Sequence, residues 1–501
     1  MKKTKINILH SLRFSLLLSV LVYGAMGCED PVNFWSTDSE EMVLSEYIAA
    51  YDDYSEFAEM LDEAGLNSLL SISLETGMTV FVPTNEAIDQ FYADNGYSSY
   101  LDMDTDELKN FLYTHMIPSQ ISVSQIGLGS LPDTNVVGDY IVSDFLNASE
   151  SEYDVDTVDS YVRLNKTALI IDEDVEVANG YIHVIDKTIP LITKSVYETL
   201  SEMSGYDIFT EALEMTGLQD TLNDIYFDYG GLAGRNRYTI LAVDDNTFAE
   251  HGITSVSQLV DYLGGDINNS SDPNDALYKY IEYHCLSGTY YLSDLSTNSY
   301  FIISKDNVIS MTITDDYKIN PDDSDRSIYT GFKIEESNYP AKNGAIHTID
   351  DLLEEEQSGA VYYEWELTDQ LDVINRDFYG LDFYKFSQDE PLVNVKWSGD
   401  YLLYYLNPPN KLSNSFSMLG YWWIEVTTPK IMKGKYDVSA TCKSPSCILY
   451  VDGVKQGVFQ GGGDTEMGTF EWTETETHTF KLVTIDYGTL FWKSLIFDPV
   501  K

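Results

Sequence analysis

Thr79-Val80-Phe81-Val82-Pro83-Thr84-Asn85-Glu86-Ala87-Ile88 reads as a short buried strand that runs into a helix. The apolar run is of strand length, Pro83 cannot continue a sheet ladder, and the Thr84 hydroxyl can accept from an amide of the first helical turn. The helix that follows carries Ala87, Ile88 and Phe91. Further along, Thr239-Ile240-Leu241-Ala242-Val243-Asp244-Asp245-Asn246-Thr247-Phe248 draws the same figure, with Asp244 or Asp245 as the cap.

Three more pairs lie outward from this one, in the same order in both halves. Tyr54-Ser-Glu-Phe57-Ala-Glu59-Met-Leu61-Asp-Glu-Ala-Gly65-Leu66 aligns without a gap with Tyr206-Asp-Ile-Phe209-Thr-Glu211-Ala-Leu213-Glu-Met-Thr-Gly217-Leu218. The shared tyrosine, phenylalanine and leucine fall on one helical stripe, and the glycine supplies a left-handed helix stop. Phe111-Leu-Tyr-Thr-His115 answers to Tyr280-Ile-Glu-Tyr283-His284 on a second helix. Asn179-Gly180-Tyr-Ile-His183-Val-Ile-Asp186 answers to Asn343-Gly344-Ala-Ile-His347-Thr-Ile-Asp350, in which Asn-Gly signals a hairpin turn before an alternating strand. Such self-similarity is an internal duplication.

The four blocks, taken in order, resemble the fasciclin domain: Thr79 to Ala87 is similar to that family's first signature, and Asn179 to Asp186 to its second. The resemblance implies an α+β fold of two tandem fasciclin-like modules, 42–193 and 194–355, each a β-wedge or sandwich surrounded by helices. It also implies adhesion as the kind of function, with Tyr283 and His284 as the candidate adhesion motif. The second copy departs from the first signature at Val243-Asp244-Asp245, and the first copy has Thr114 where the family has tyrosine. Four histidines, His115, His183, His284 and His347, recur at matched positions, without a second ligand at helical spacing or a local acid to complete a metal set. They are expected to tie helix and strand to neighbouring backbone through their ring nitrogens. No metal, cofactor or catalytic residue is expected.

Beyond Leu353 the duplication ends. Residues 356–390 read as a linker or extension, and 391–501 as short alternating strands with Gly or Pro turns, an all-β jelly-roll-like sandwich. Its Gly434-Lys-Tyr-Asp-Val, Leu449-Tyr-Val-Asp-Gly453 and His478-Thr-Phe-Lys-Leu482 segments are similar in layout to carbohydrate-binding modules. Aromatic planes can stack on the C–H face of a sugar, so Trp397, Tyr421, Trp422, Trp423 and Trp472 form a candidate glycan platform. Tyr421, Trp422 and Trp423 are consecutive, so in a strand they cannot all face one side. Cys442 and Cys447 flank Lys443-Ser-Pro-Ser446, and a hairpin there would bring them together as a possible disulfide.

At the other end, Lys2, Lys3 and Lys5 precede an apolar stretch from Leu16 to Tyr23 and small residues before Cys28. This predicts a lipoprotein signal peptide over 1–27, lipidation at Cys28 and a tether over 28–41. The expected location is the outer membrane, with possible exposure at the cell surface and contact with the membrane through the lipid anchor alone. The 501 residues carry a formal charge of −53, which opposes nucleic acid and anionic lipid as partners, while 44% hydrophobic residues exclude a disordered chain. Asp102-Met-Asp-Thr-Asp106 begins like a calcium loop but lacks its glycine and last glutamate, and reads as a helix entrance capped by Asp104 or Thr105. The catalytic motifs for acyl transfer, zinc proteolysis, phosphate and dinucleotide binding are missing from the sequence. The expectation is a non-catalytic cell-surface lipoprotein that contacts matrix or cell-surface protein through its repeats. The alternative is an accessory lipoprotein that captures polysaccharide with its last domain.

Overall fold

The structure, a computed structural model, describes residues 42–72, 76–147, 160–229, 232–314, 316–321, 328–356, 359–374, 381–406 and 414–500. The signal peptide, Cys28 and the tether lie outside these residues. The chain forms two compact units, one of 42–125 with 170–188 and one of 126–169 with 189–500. The module boundary at 193 and 194 is a reading of the sequence. The compact units are cut differently, with 126–169 in the second.

In the first unit the strand Met78–Pro83 is buried along its whole length, as an unalternated apolar run requires when both faces are covered. It runs parallel to Gly180–Ile185, Met78 opposite Gly180, and antiparallel to Met116–Ile117. Thr84 caps the helix Asn85–Asn95 by accepting from Ala87 N. Asp104 caps Thr105–Thr114 by accepting from Asp106 N and Glu107 N, so Asp102 to Asp106 is a helix entrance. Phe57 and Leu61, one stripe of the helix Ser55–Glu63, close a core with Val80, Val82 and Ile182.

The second unit repeats this frame. Tyr238–Val243 runs parallel to Gly344–Ile349, with Tyr238 opposite Gly344, and antiparallel to Cys285–Ser287. Asp244 is the cap that the sequence left open between two aspartates, accepting from Thr247 N at 2.7 Å. Glycine fixes the shared register: a Cβ at Gly180 would meet the Met78 carbonyl oxygen at 2.0 Å, and one at Gly344 the Tyr238 oxygen at 2.0 Å. The hairpin turn therefore lies one residue earlier than the Asn-Gly pair. Val177 pairs with Gly180 and Ala341 with Gly344, which makes Ala178-Asn179 and Lys342-Asn343 the turns and puts both glycines in strands.

Strands from 126–169 pack against this second frame. Val142 joins Tyr291 and Ala345, and Asp139, 4% exposed, pairs with Arg235 and Lys342, each at 2.7 Å. Asp144 pairs with Arg163 and Lys166. Burial pushes the Asp144 carboxyl up, but hydrogen bonds from Arg163 and Lys166 outweigh it and the net direction is down.

The C-terminal part of the second unit, from Tyr363 onward, is a ten-stranded sheet around its own core. Its strands depart from the short, evenly spaced pattern expected. Gly434–Val451 has 18 residues and Val454–Trp472 has 19, joined by a two-residue turn at Asp452-Gly453 with φ of 49° and 75°. Positive φ at both positions matches the twist of the flanking strands, as an Asp-Gly turn requires. The turn expected at Lys443–Ser446 is not formed. Cys442 and Cys447 stand on one continuous strand, where Ser444-Pro445 is absorbed as a shift of register between Lys443 and Ser446. Both thiols are free and buried, which corrects the disulfide expectation. The stretch 356–390 also gives strands to this sheet. Tyr363–Glu366 pairs with Gly488–Pro499, Phe383–Ser387 pairs with Tyr401–Tyr405, and Trp365 is in the core.

Candidate functional site

The matched histidines are bonded alike in the two copies. His115 Nδ1 lies 2.8 Å from the Phe111 carbonyl, and His284 Nδ1 lies 2.7 Å from that of Tyr280, one helical turn back in each case. His183 Nε2 lies 2.8 Å from the Ile121 carbonyl while its Nδ1 accepts from Asp174 N. In the second copy His347 Nε2 lies 2.8 Å from the Tyr290 carbonyl and its Nδ1 accepts from Asn338 N. A carbonyl can only accept, so each ring donates there, and in His183 and His347 the other nitrogen accepts, which makes those rings neutral. Burial pushes His115, His284 and His347 down to about 4, and His183 in the same direction. The expected tie from histidine to backbone is what the geometry supplies. Among the described residues no three His, Cys, Asp or Glu side chains gather as a metal set.

Tyr283 and His284 are 1% and 0% exposed. The Tyr283 hydroxyl donates to the Val308 carbonyl at 3.3 Å and accepts from Asn320 Nδ2 at 2.8 Å. A pair enclosed in this way offers no surface to a partner, so as a contact motif it is corrected to a structural one. The resemblance alone marked it as a motif, and the helix Ala276–Tyr283 carries both rings into the core.

The five candidate platform aromatics are divided by the sheet. Trp397 and Trp422 are buried, and the Trp422 indole donates to the Gly488 carbonyl at 3.1 Å. Trp472 is half-buried, stacked on His478 at 4.0 Å and on Phe470 at 5.8 Å. Trp423 is half-buried under Lys481, whose ammonium is 4.2 Å from the ring centre. Tyr421 alone stands out, 73% exposed: with Trp422 it forms the connection between the strands Ser415–Gly420 and Trp423–Ile431, so the triplet is not the continuous strand expected. It meets Tyr487, 65% exposed, edge to face at 5.9 Å. Sequence reading missed Tyr487. Its only signal was a tyrosine between Asp486 and Gly488 in a turn, and the pairing of Gly420 with Gly488 is what brings it beside Tyr421.

Two further groups of buried polar residues gave no signal as such. Asn179 Oδ1 accepts from Leu44 N at 2.8 Å while its amide donates to the Leu70 and Ile72 carbonyls; Asn343 repeats this with Val196 N, Leu222 O and Asp224 O. The composition suggested only a turn. Among the described residues, no helix is long and apolar enough to cross a membrane.

A family model for the fasciclin domain matches residues 52–191 and 204–355, together more than half of the chain. Protein sll1483 of Synechocystis sp. is 30% identical over 154 residues, which are 31% of this chain and 76% of that protein. The solved domain pair of the insect cell adhesion molecule fasciclin I is similar at 18% identity, over 62% of this chain and 96% of that one, with a TM-score of 0.28. A family 36 carbohydrate-binding module, solved with calcium and xylotriose, is similar at 18% identity over 21% of this chain and 94% of that one, with a TM-score of 0.16.

Proposed function

Because the chain belongs to the fasciclin family, we propose that it is a non-catalytic cell-surface protein that holds an extracellular partner, exported and tethered through a lipid on Cys28. Fasciclin domains in general are adhesion or ligand-binding modules. One observation supports the binding reading most: the histidines that recur in both copies are spent on the fold. His115, His183, His284 and His347 each give a ring nitrogen to a main-chain carbonyl inside a core. A neutral, enclosed imidazole serves architecture, and recognition falls to the acidic, tyrosine-rich surface around it. The partner is a matrix or cell-surface protein, contacted by the repeats.

The test is an array of matrix proteins and polysaccharides probed with the full chain. Saturable binding without change to the bound molecule is the expected result. Conversion of a bound glycan, lost on substitution of one carboxylate, would overturn it. A second reading, capture of polysaccharide by the C-terminal sheet, is favoured by the exposed Tyr421–Tyr487 pair. Tyr421→Ala with Tyr487→Ala then abolishes retention on polysaccharide while protein binding persists.

A further inference from the structure

On the outer side of the C-terminal sheet, four apolar side chains stand in register across four strands. Trp423 is opposite Val483, Val483 opposite Ile448, and Ile448 opposite Val458. Residues directly opposite in an antiparallel ladder share a face, so the four form one row running across the strands. Their chain neighbours Ile424, Leu482, Leu449 and Phe459 are buried in the core, which puts the row outside. Val458 is 72% exposed and the other three are half-buried. The outward face of an antiparallel sheet ordinarily carries polar residues, and an apolar row there is the kind of patch that marks a contact.

A second row runs beside the first on the same face. Lys396 is opposite Glu425, Glu425 opposite Lys481, Lys481 opposite Tyr450, and Tyr450 opposite Lys455. A shift of register between Leu449 and Tyr450 keeps Lys455 on the same side as Val458. In a chain of 29 basic and 82 acidic residues, this row has three lysines to one glutamate. Glu425 lies 3.2 Å from the Lys481 ammonium and 3.9 Å from that of Lys396, so the row keeps a surplus of positive charge. The three lysines recur on every second strand, a backbone spacing of about 10 Å.

The size of the face selects its occupant. Five strands span about 19 Å and the rows stand about 7 Å apart, so with their side chains they offer on the order of 300 Å². A stable protein interface takes about 800 Å² from each partner, so the face is too narrow for a second copy or a folded protein and suits one extended chain. We propose that it binds an acidic polysaccharide, a β-linked chain of uronic acid sugars laid across the strands, with C–H faces on the apolar row and carboxylates on Lys396, Lys481 and Lys455. A pyranose residue in such a chain is about as long as one strand spacing, and successive residues turn to opposite sides. Carboxylates on one side therefore recur at every second sugar, as the lysines do at every second strand. The charge of −53 acts over distance and is screened beyond about 8 Å at physiological salt, so the sign of the row decides at contact. The proposal rests on reading the C-terminal sheet as a polysaccharide binder, and it moves the grip from the Tyr421–Tyr487 pair to the sheet face.

The test titrates the full chain by calorimetry at physiological salt with β-linked hexamannuronate and with β-linked mannohexaose, which differ only in a carboxylate for a hydroxymethyl group on each sugar. The acidic probe should bind about tenfold or more tightly than the neutral one. Lys396→Gln with Lys455→Gln, both exposed, should weaken hexamannuronate by about tenfold and leave mannohexaose unchanged. Val458→Asp sets a carboxylate in the apolar row, and should weaken both probes by about tenfold or more with the melting temperature unchanged, because the position is exposed. Equal binding of the two probes, or hexamannuronate binding that neither variant weakens, would overturn the proposal. Loss of matrix-protein binding in Val458→Asp, with neither sugar bound by the parent chain, would overturn it too. If Tyr421→Ala with Tyr487→Ala abolishes retention on polysaccharide and Val458→Asp does not, capture stands and this face falls. If Val458→Asp abolishes it and the tyrosine substitutions do not, the face stands and the tyrosine reading falls.

Discussion

Replacing Asn343 with alanine removes three hydrogen bonds from a side chain with no exposed surface. The carboxamide oxygen accepts from Val196 N at 2.8 Å, the first amide of the helix Val196–Glu202, and the nitrogen donates to Leu222 O at 2.9 Å and Asp224 O at 3.0 Å. Asp224 is exposed and its carbonyl also accepts from Asn236 Nδ2; Val196 and Leu222 are fully buried, so the Val196 N–H and the Leu222 carbonyl are stranded. At about 1 to 3 kcal/mol for each of the two stranded groups, Asn343→Ala should cost about 2 to 6 kcal/mol. Asn343→Asp should not rescue it, because a carboxylate can accept from Val196 N but cannot donate to either carbonyl. Urea unfolding followed by far-ultraviolet circular dichroism measures the loss, and hydrogen exchange locates it at the Val196 amide. Every tryptophan after Trp35 lies between Trp365 and Trp492, so fluorescence reports mainly on the C-terminal sheet and serves as an internal reference. A loss below about 1 kcal/mol, or one that Asn343→Asp restores, would refute the reasoning that these bonds clamp the copy shut.

Acid should weaken the fold through its histidines. His115, His284 and His347 fall from 6.5 to about 4, so between those values the unfolded chain holds protons that the folded chain does not. Their contribution is complete above about 6.5 and drains away as the pH falls toward 4, by about 3 kcal/mol for each ring at 1.4 kcal/mol per unit; a His347→Gln chain should show a shallower slope in urea midpoints measured from pH 7 to 4.5. Burial raises the Cys442 thiol to about 12 and Cys447 to about 11. Iodoacetamide should therefore label both slowly in the native chain and fully in urea, whereas a disulfide would leave both unlabelled in urea until reduced. Asp139→Asn leaves the Arg235 and Lys342 cations, 18% and 13% exposed, without a counter-charge. It should cost about 3 kcal/mol and raise hydrogen exchange over 126–147; unchanged exchange there would count against the ion pairs as the hold on that segment.

The duplicated frame was legible because it rests on local signals with a physical cause. Pro83 and Thr84 end a strand and start a helix, and Gly65 and Gly217 adopt φ of 71° and 77° where left-handed stops were read. The histidine ties were legible in kind, since matched histidines without companions have little else to bond than backbone. The failures share one origin, long-range pairing. Lys443–Ser446 carries turn composition, yet its strand is held straight by Val454–Trp472 on one side and Gly488–Pro499 on the other. Tyr283-His284 matched a surface expectation, but the stripe of Leu277, Tyr280 and Ile281 turns that face inward. Tyr487 and the row from Trp423 to Val458 acquire meaning only from neighbours far away in sequence, and no window of residues contains them.

The most direct test of the central claim, that the repeats act by holding a partner, is the retention of the full chain on immobilised matrix proteins and polysaccharides, with the bound molecules recovered and weighed by mass spectrometry. Saturable retention on at least one of them, with its mass unchanged after prolonged contact, is the expected result. A ligand recovered cleaved or modified, or a chain that passes over every surface, would contradict it.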